Sequence, residues 1–389
     1  MINSKKKGFT IVELVIVIAV VAILAAVLIP TFSSLVKKAN ISADQQAVVH
    51  MNKLLAMDEV ADPKPTKADE VVEVLIKNGY SDDLTTYYSN YQLAWLPEEN
   101  VVVLVENGSV VYPDKYVGET GFEELKPMVK DVEELLESLT DGKTVFIAED
   151  IIVEEVSAEA SGVYTINLNG NTLTSSNSSG SWVDEGKLVV SNGTIDGSSI
   201  VSPADAKAVV IKARMGGIVE LSNVQIYAPA NANPIQCYGG TMVLNKVTVS
   251  QSGQNDKGYY NSAIQVVNGY GENANYDAHL TINGGMYSGK IALQLSLPGG
   301  TVIINDGIFN GVEAIHMDSN YNSYPGRDHS ITINGGNFTG SIYADVNSEI
   351  IINGGTFSIN PETDITGGGT ITITGEVIDN GNGTWTVKQ

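Results

Sequence analysis

Cysteine is almost absent from this 389-residue chain. The only one is Cys237, which excludes an intramolecular disulfide framework. In the strand-like stretch NPIQCYGG it reads as a small core residue. Basic residues are also scarce: 22 Lys+Arg stand against 45 Asp+Glu, a net charge of −23. The acidic surplus runs through both halves of the chain. Such a surface repels phosphate backbones, so no nucleic acid is expected as a partner. Beyond the first residues the one basic pair is Lys37-Lys38. No cofactor and no metal centre is expected.

Charge is also missing, in a different way, from Leu14 to Ile29, where sixteen apolar residues follow one another. Counted from Phe9 the run is long enough for a helix to cross about 30 Å of hydrocarbon. The lysines at 5, 6 and 7 favour a cytoplasmic amino end. The run is too long for a secretory signal core, and no small-residue cleavage site follows it. A plain anchor accounts for its length but not for Glu13, since a carboxylate in hydrocarbon costs about 2.5–3.5 kcal/mol or more.

The stretch KKKGFTIVEL resembles the class III leader of type IV pilins and related pseudopilins. The resemblance covers about thirty residues. It implies that a prepilin peptidase cuts after Gly8 and N-methylates Phe9 as the first mature residue. Glu13 matches the acidic fifth mature residue of that family, and Pro30 lies where many pilins kink this helix. Partners implied are the prepilin peptidase, other pilin subunits, and the cytoplasmic membrane before assembly, with the cell surface or pilus afterwards. Glu13 would then offset the amine of Phe9 or that of a neighbouring subunit, fixing axial register; unpaired charge in such a place is expensive.

Helical spacing continues from Leu35 to Leu55, so one helix is expected over 9–57, about 70 Å long, ended by DPKP. TKADEVVEVLIKNGY reads as a second helix, with Thr66 as cap and Gly79 as stop. YQLAWLPEENVVVLVENGSVVYP alternates strand runs with turns at 97–100 and at Asn107-Gly108, a small antiparallel meander. FEELKPMVKDVEELLESLTDG reads as an acidic amphipathic linking helix. Residues 58–142 therefore form a small α+β head, after a leader over 1–8.

From Lys143 the composition shifts to Asn, Gly, Ser, Thr, Ile and Val. LTINGGMYSG, VIINDGIFNG, ITINGGNFTG and IIINGGTFSI share one pattern. Polar anchors fall at Asn169, Ser191, Ser222, Asn245, Asn283, Asn305, Asn334 and Asn353. Four residues beyond each stands an apolar one: Leu173, Ile195, Ile226, Val249, Tyr287, Phe309, Phe338 and Phe357. A basic repeat near 22 residues with insertions at fixed corners is the pattern of a parallel β-solenoid over 143–389. Stacked asparagines would hydrogen-bond along the axis. The arrangement resembles the right-handed parallel β-helix of the pectin lyase-like superfamily, a likeness of fold that carries no function. The fold expected is thus mixed, a long α-helix and a small α+β head before an all-β body.

Enzymes on that fold need grouped carboxylates or a base beside an acidic cluster. Asp196 in SNGTIDGS has no second aspartate in register. Lys212 and Arg214 lack an acidic cluster, and His316 in AIHMD reads as a surface histidine beside Asp318. No catalytic residue is assigned, although a tethered polysaccharide-active enzyme is an alternative. The insertions carry Tyr259, Tyr260, Tyr270, Tyr276, Tyr321 and Tyr324 among Asn, Asp and Gly. Exposed tyrosines suit glycan or protein surfaces; their other reading is as rings packed back on the coils. The expected function is a minor or tip filament subunit displaying an adhesive module, with a secretion pseudopilin as the rival.

Overall fold

The computed structural model describes Ile11 to Lys388 except residues 59–63, 81–83, 127, 154–156, 159–161, 176–180, 185, 201–207, 230–231, 253–261, 270–274, 297–298 and 319–328. It divides into two compact units, 1–127 and 128–389. N-terminal helices are followed by a large, mostly β unit with parallel strands.

In the first unit, helix α1 (Ile11–Asp58) runs unbroken through Pro30. Gly8 and Phe9 lie outside the described residues, as do the side chains of Val12, Glu13, Ile23, Ala25 and Val27. Among the described residues no helix is long and apolar enough to cross a membrane. The apolar run instead shows exposure: Leu14, Val15, Ile16 and Ile18 are each more than half exposed. Burial begins further on, at Asp44, Val48, Met51, Leu54 and Leu55.

That second half of α1 carries the rest of the unit. Helix α2 (Ala68–Lys77) buries Val71, Val72 and Leu75. Its cap position is Lys67, with no side-chain cap bond. Thr66 instead gives Glu70 both its N–H and its hydroxyl, at 2.6 and 3.0 Å, because the acidic residue reaches back over the open first turn. Gly79, at φ 91°, stops the helix. Strands Gln92–Leu96, Val101–Glu106 and Ser109–Tyr112 form the antiparallel meander, joined at its edge by Glu123–Glu124. Asn107 and Gly108 both take positive φ, as a tight hairpin turn requires. Asn52 of α1 closes on Val102, accepting its N–H at 2.7 Å and donating to its carbonyl at 2.9 Å.

The expected linking helix over 122–142 is far shorter. Helix α3 covers only Val132–Ser138, capped by Asp131, which accepts from Glu134 N at 2.9 Å. The Glu134 carboxylate in turn accepts from Lys130 N–H at 2.9 Å, one residue before the cap, and the two bonds together fix where the helix starts. Leu135 is fully buried in the core of the second unit, so contacts divide the chain at 127/128 and not at 142.

The second unit is built from three parallel ladders. The first passes from Lys143–Phe146 and Val163–Asn167 through successive strands to Glu349–Ile352 and Thr370–Ile373. Its inward row, Val190, Leu221, Leu244, Ile282, Ile304, Ile333 and Ile352, stays in register throughout and is buried at every step. The second ladder holds the residues four beyond the anchors. The third joins Ala208–Arg214, Ala232–Tyr238, Ser262–Val267, Ile291–Leu295, residues 313–317 and residues 341–344. No single strand buries both its faces alone; each gains its core only from the strands stacked on either side.

Candidate functional site

Side chains repeated at one register position of a parallel ladder lie about 4.8 Å apart, so any residue type kept at that position forms a continuous row. Two such rows run through the second unit. The apolar one joins Leu173, Ile195, Ile226, Val249, Tyr287, Phe309, Phe338 and Phe357 as direct partners. Its four rings stack: centroids are 5.2 Å apart for Tyr287–Phe309 and 4.9 Å for Phe309–Phe338 and Phe338–Phe357. Tyr287 satisfies its buried hydroxyl by donating to the Gly284 carbonyl at 3.0 Å, and burial raises its pKa.

The polar row is a chain of amides. Asn353 donates to Asn334 at 2.8 Å, Asn334 to Asn305 at 2.8 Å, Asn305 to Asn283 at 2.7 Å, and Asn283 to Asn245 at 2.8 Å. Asn245 donates onward to the Ser222 hydroxyl at 3.0 Å, and Thr374 donates to Asn353 Oδ1 at 2.8 Å. The donors all point one way, so the amide dipoles add. At the first strands the row is carried differently. Asn167, not Asn169, pairs with Ser191, because the corner there holds two extra residues before Leu173. Beside the two serines, Asn192 and Asn223 supply the amides, bonded to each other at 3.2 Å. Both sit at positive φ, which asparagine tolerates.

A third cluster lies on the third ladder. The side chain of His316 is nearly buried, and each ring nitrogen meets a carboxylate: Nδ1 that of Glu313, and Nε2 that of Asp318 at 2.8 Å. Asp318 also accepts from Gln294 Nε2 at 3.1 Å, on the neighbouring strand. On the other side Tyr343 stacks on the imidazole, centroids 4.9 Å apart. Burial pulls the His316 pKa down, but the hydrogen bonds and charges of Asp318 and Glu313 outweigh it and the pKa is raised. Both ring nitrogens face carboxylates, an arrangement that favours the protonated ring. Close by, the pKa of His329 is lowered, mainly by burial. Its Nδ1 faces the Ser348 hydroxyl at 3.4 Å.

The other candidate residues fall elsewhere. Asp196 accepts from Ser198 N at 2.8 Å and shapes a turn. Lys212 lies over the Tyr238 ring at 5.0 Å. Cys237 is fully buried, and burial pushes its pKa up to about 12. Tyr276 packs against the turns at Gly216 and Gly239, where an added Cβ would meet its side chain at 3.3 and 2.9 Å. Tyr259, Tyr260, Tyr270, Tyr321 and Tyr324 lie outside the described residues. Among the described residues no group of His, Cys, Asp and Glu is arranged to hold a metal ion.

The sequence reading missed Glu313, Gln294 and His329. Glu313 is three residues from His316 and visible on inspection; Gln294 becomes a neighbour only when IALQL is placed in register with AIHM.

A model of the prokaryotic N-terminal methylation motif matches residues 3–29. No curated protein and no solved structure matches the chain. The prepilin-type motif suggests a type IV pilin or pseudopilin, processed by prepilin peptidase and assembled with other subunits.

Proposed function

We propose that the chain is a minor or tip subunit of a type IV pilin-like filament, displaying a parallel β-solenoid that binds surface glycans or proteins. The observation that carries this reading is the methylation motif at 3–29 leading straight into α1. Its first half leaves apolar side chains exposed while its second half is covered by a small sheet. Exposed aliphatic helix surface of that kind fits a bilayer before assembly and neighbouring helices after it. The three ladders support a solenoid, and a rigid stack suits display because side chains carried on its strands are held in fixed positions. On the third ladder Gln236, Gln265, Gln294 and His316 form one row, and its half-buried members Gln236 and Gln265 are the proposed recognition side chains. Gln265 there accepts from Gln236 at 2.7 Å and from Asn233 at 2.8 Å.

The module is proposed to bind and not to catalyse, since its best-placed histidine is engaged at both nitrogens. A displayed unit of this size is bulky for every position of a filament, which favours a minor or tip place over a major one, and a secretion pseudopilin has little need of such display. Counting subunits in purified filaments tests this: a small fraction of the total is expected, and a major-subunit stoichiometry would refute it. Glycan arrays followed by a polysaccharide turnover assay separate a binder from an enzyme.

A further inference from the structure

The parallel stack is finished differently at its two ends. At the first, α3 lays Leu135 against the core and Val129 bridges to Ile147. At the other, Thr370–Ile373 pairs with Glu349–Ile352 on one side, and among the described residues no strand pairs with its opposite edge. Thr370 N donates to Ser348 O at 2.9 Å and Thr374 N to Ile352 O at 3.0 Å. These bonds fix which groups face the stack; by the alternation of a parallel strand, the N–H and C=O of Ile371 and Ile373 point outward.

Burial agrees with that geometry. Ile352 and Ile333, one and two strands deeper in the same inward row, are fully covered, whereas Ile371 and Ile373 are only half-buried. Ile365 and Val377 are half-buried at the same end. The terminal hairpin of Glu376–Asp379 and Trp385–Lys388 covers the second ladder, with Trp385 opposite Phe357, and leaves the first ladder's edge open. The last coil and the terminal hairpin are acidic: Glu362, Asp364, Glu376 and Asp379 are exposed, against Lys388, the cross-strand partner of Glu376.

We propose that this edge docks an extended polypeptide in which apolar and basic residues alternate, added as one more strand beside Thr370–Ile373. Backbone bonds to Ile371 and Ile373 would give affinity, every second side chain would complete the half-open apolar row, and the basic residues would meet the acidic last coil and hairpin. A second copy of the same end would bring its own carboxylates against these, and like charges disfavour it. The surface is distinct from the cluster on the third ladder.

The test is fluorescence anisotropy of the peptide Lys-Val-Lys-Val-Lys-Val with the full chain in detergent, beside Glu-Val-Glu-Val-Glu-Val. Ile373→Pro deletes an N–H that faces outward and spares the bonds into the stack; Glu376→Lys inverts one of the acidic charges. The Lys-Val peptide is expected to bind, to weaken at raised salt, and to lose about tenfold or more in both variants. Should Ile373→Pro unfold the end, as thermal unfolding would reveal, Glu376→Lys carries the test by itself. No binding of the Lys-Val peptide, equal binding of the Glu-Val peptide, or unchanged affinity in Glu376→Lys would overturn the proposal. Self-association abolished by Ile373→Pro without peptide binding would overturn it in favour of a second copy.

Discussion

Asn334 donates from its amide nitrogen to the amide oxygen of Asn305 at 2.8 Å, across 29 residues of chain. Each partner is in turn bonded to the next strand's asparagine, so the pair is one link of a chain and its loss is felt on both sides.

Asn305→Ala leaves Asn283 without its donor and Asn334 without its acceptor. The row is exposed to water, which replaces part of what is lost, so the expected cost is about 1–2 kcal/mol. Asn305→Asp keeps the acceptor but sets oxygen against oxygen at Asn283. It is expected to lose stability at neutral pH and to regain part of it below about pH 4, where the carboxyl carries a proton. Thermal unfolding of the two variants across pH checks this.

Phe338 lies between Phe309 and Phe357 and is almost fully buried. Phe338→Ala is expected to cost about 3–5 kcal/mol, because neighbouring strands in register cannot close on the gap. Phe338→Leu should cost clearly less. Denaturant midpoints of the second unit supply the comparison, and equal midpoints for the two variants would argue against a packed aromatic row.

The two histidines have opposite pH signatures. His316 has a raised pKa, so its contribution to stability is complete below the unfolded value of about 6.5 and fades as pH rises through the folded value. His329 has a lowered pKa, so its contribution is present above that unfolded value and fades as pH falls through the folded one. His316→Gln should therefore flatten the alkaline side of the stability profile, and His329→Gln the acid side. Proton titration of the imidazole resonances by NMR gives the two directions independently.

On the proposed assembly, in which Glu13 offsets the amine of Phe9 or that of a neighbouring subunit, Glu13→Val is expected to leave membrane insertion intact and to impair incorporation into filaments. Immunoblots of membrane and sheared fractions separate the two steps. Wild-type amounts in the sheared fraction would remove Glu13 from the assembly account.

How much of this could be read from the sequence depended on whether a feature was periodic. The row from Ile195 to Phe357 was legible because one spacing from a polar anchor holds in each of those strands, whatever the length of the insertion between. Asn169 misled because the first corner carries two additional residues, and only the pairing of Asn167 with Ser191 reveals it. The linking helix was overextended because an amphipathic pattern continues on both sides of Pro127. The His316 cluster was half legible: Glu313 and Asp318 are local, whereas Gln294 and Tyr343 arrive from other strands, and no sequence interval announces them.

The most direct test of the central claim is mass spectrometry of sheared surface filaments. The account predicts a chain that begins at N-methylated Phe9, present with peptides from 128–389 in the filament fraction. A chain that retains residues 1–8, or one absent from the filament fraction, would contradict it.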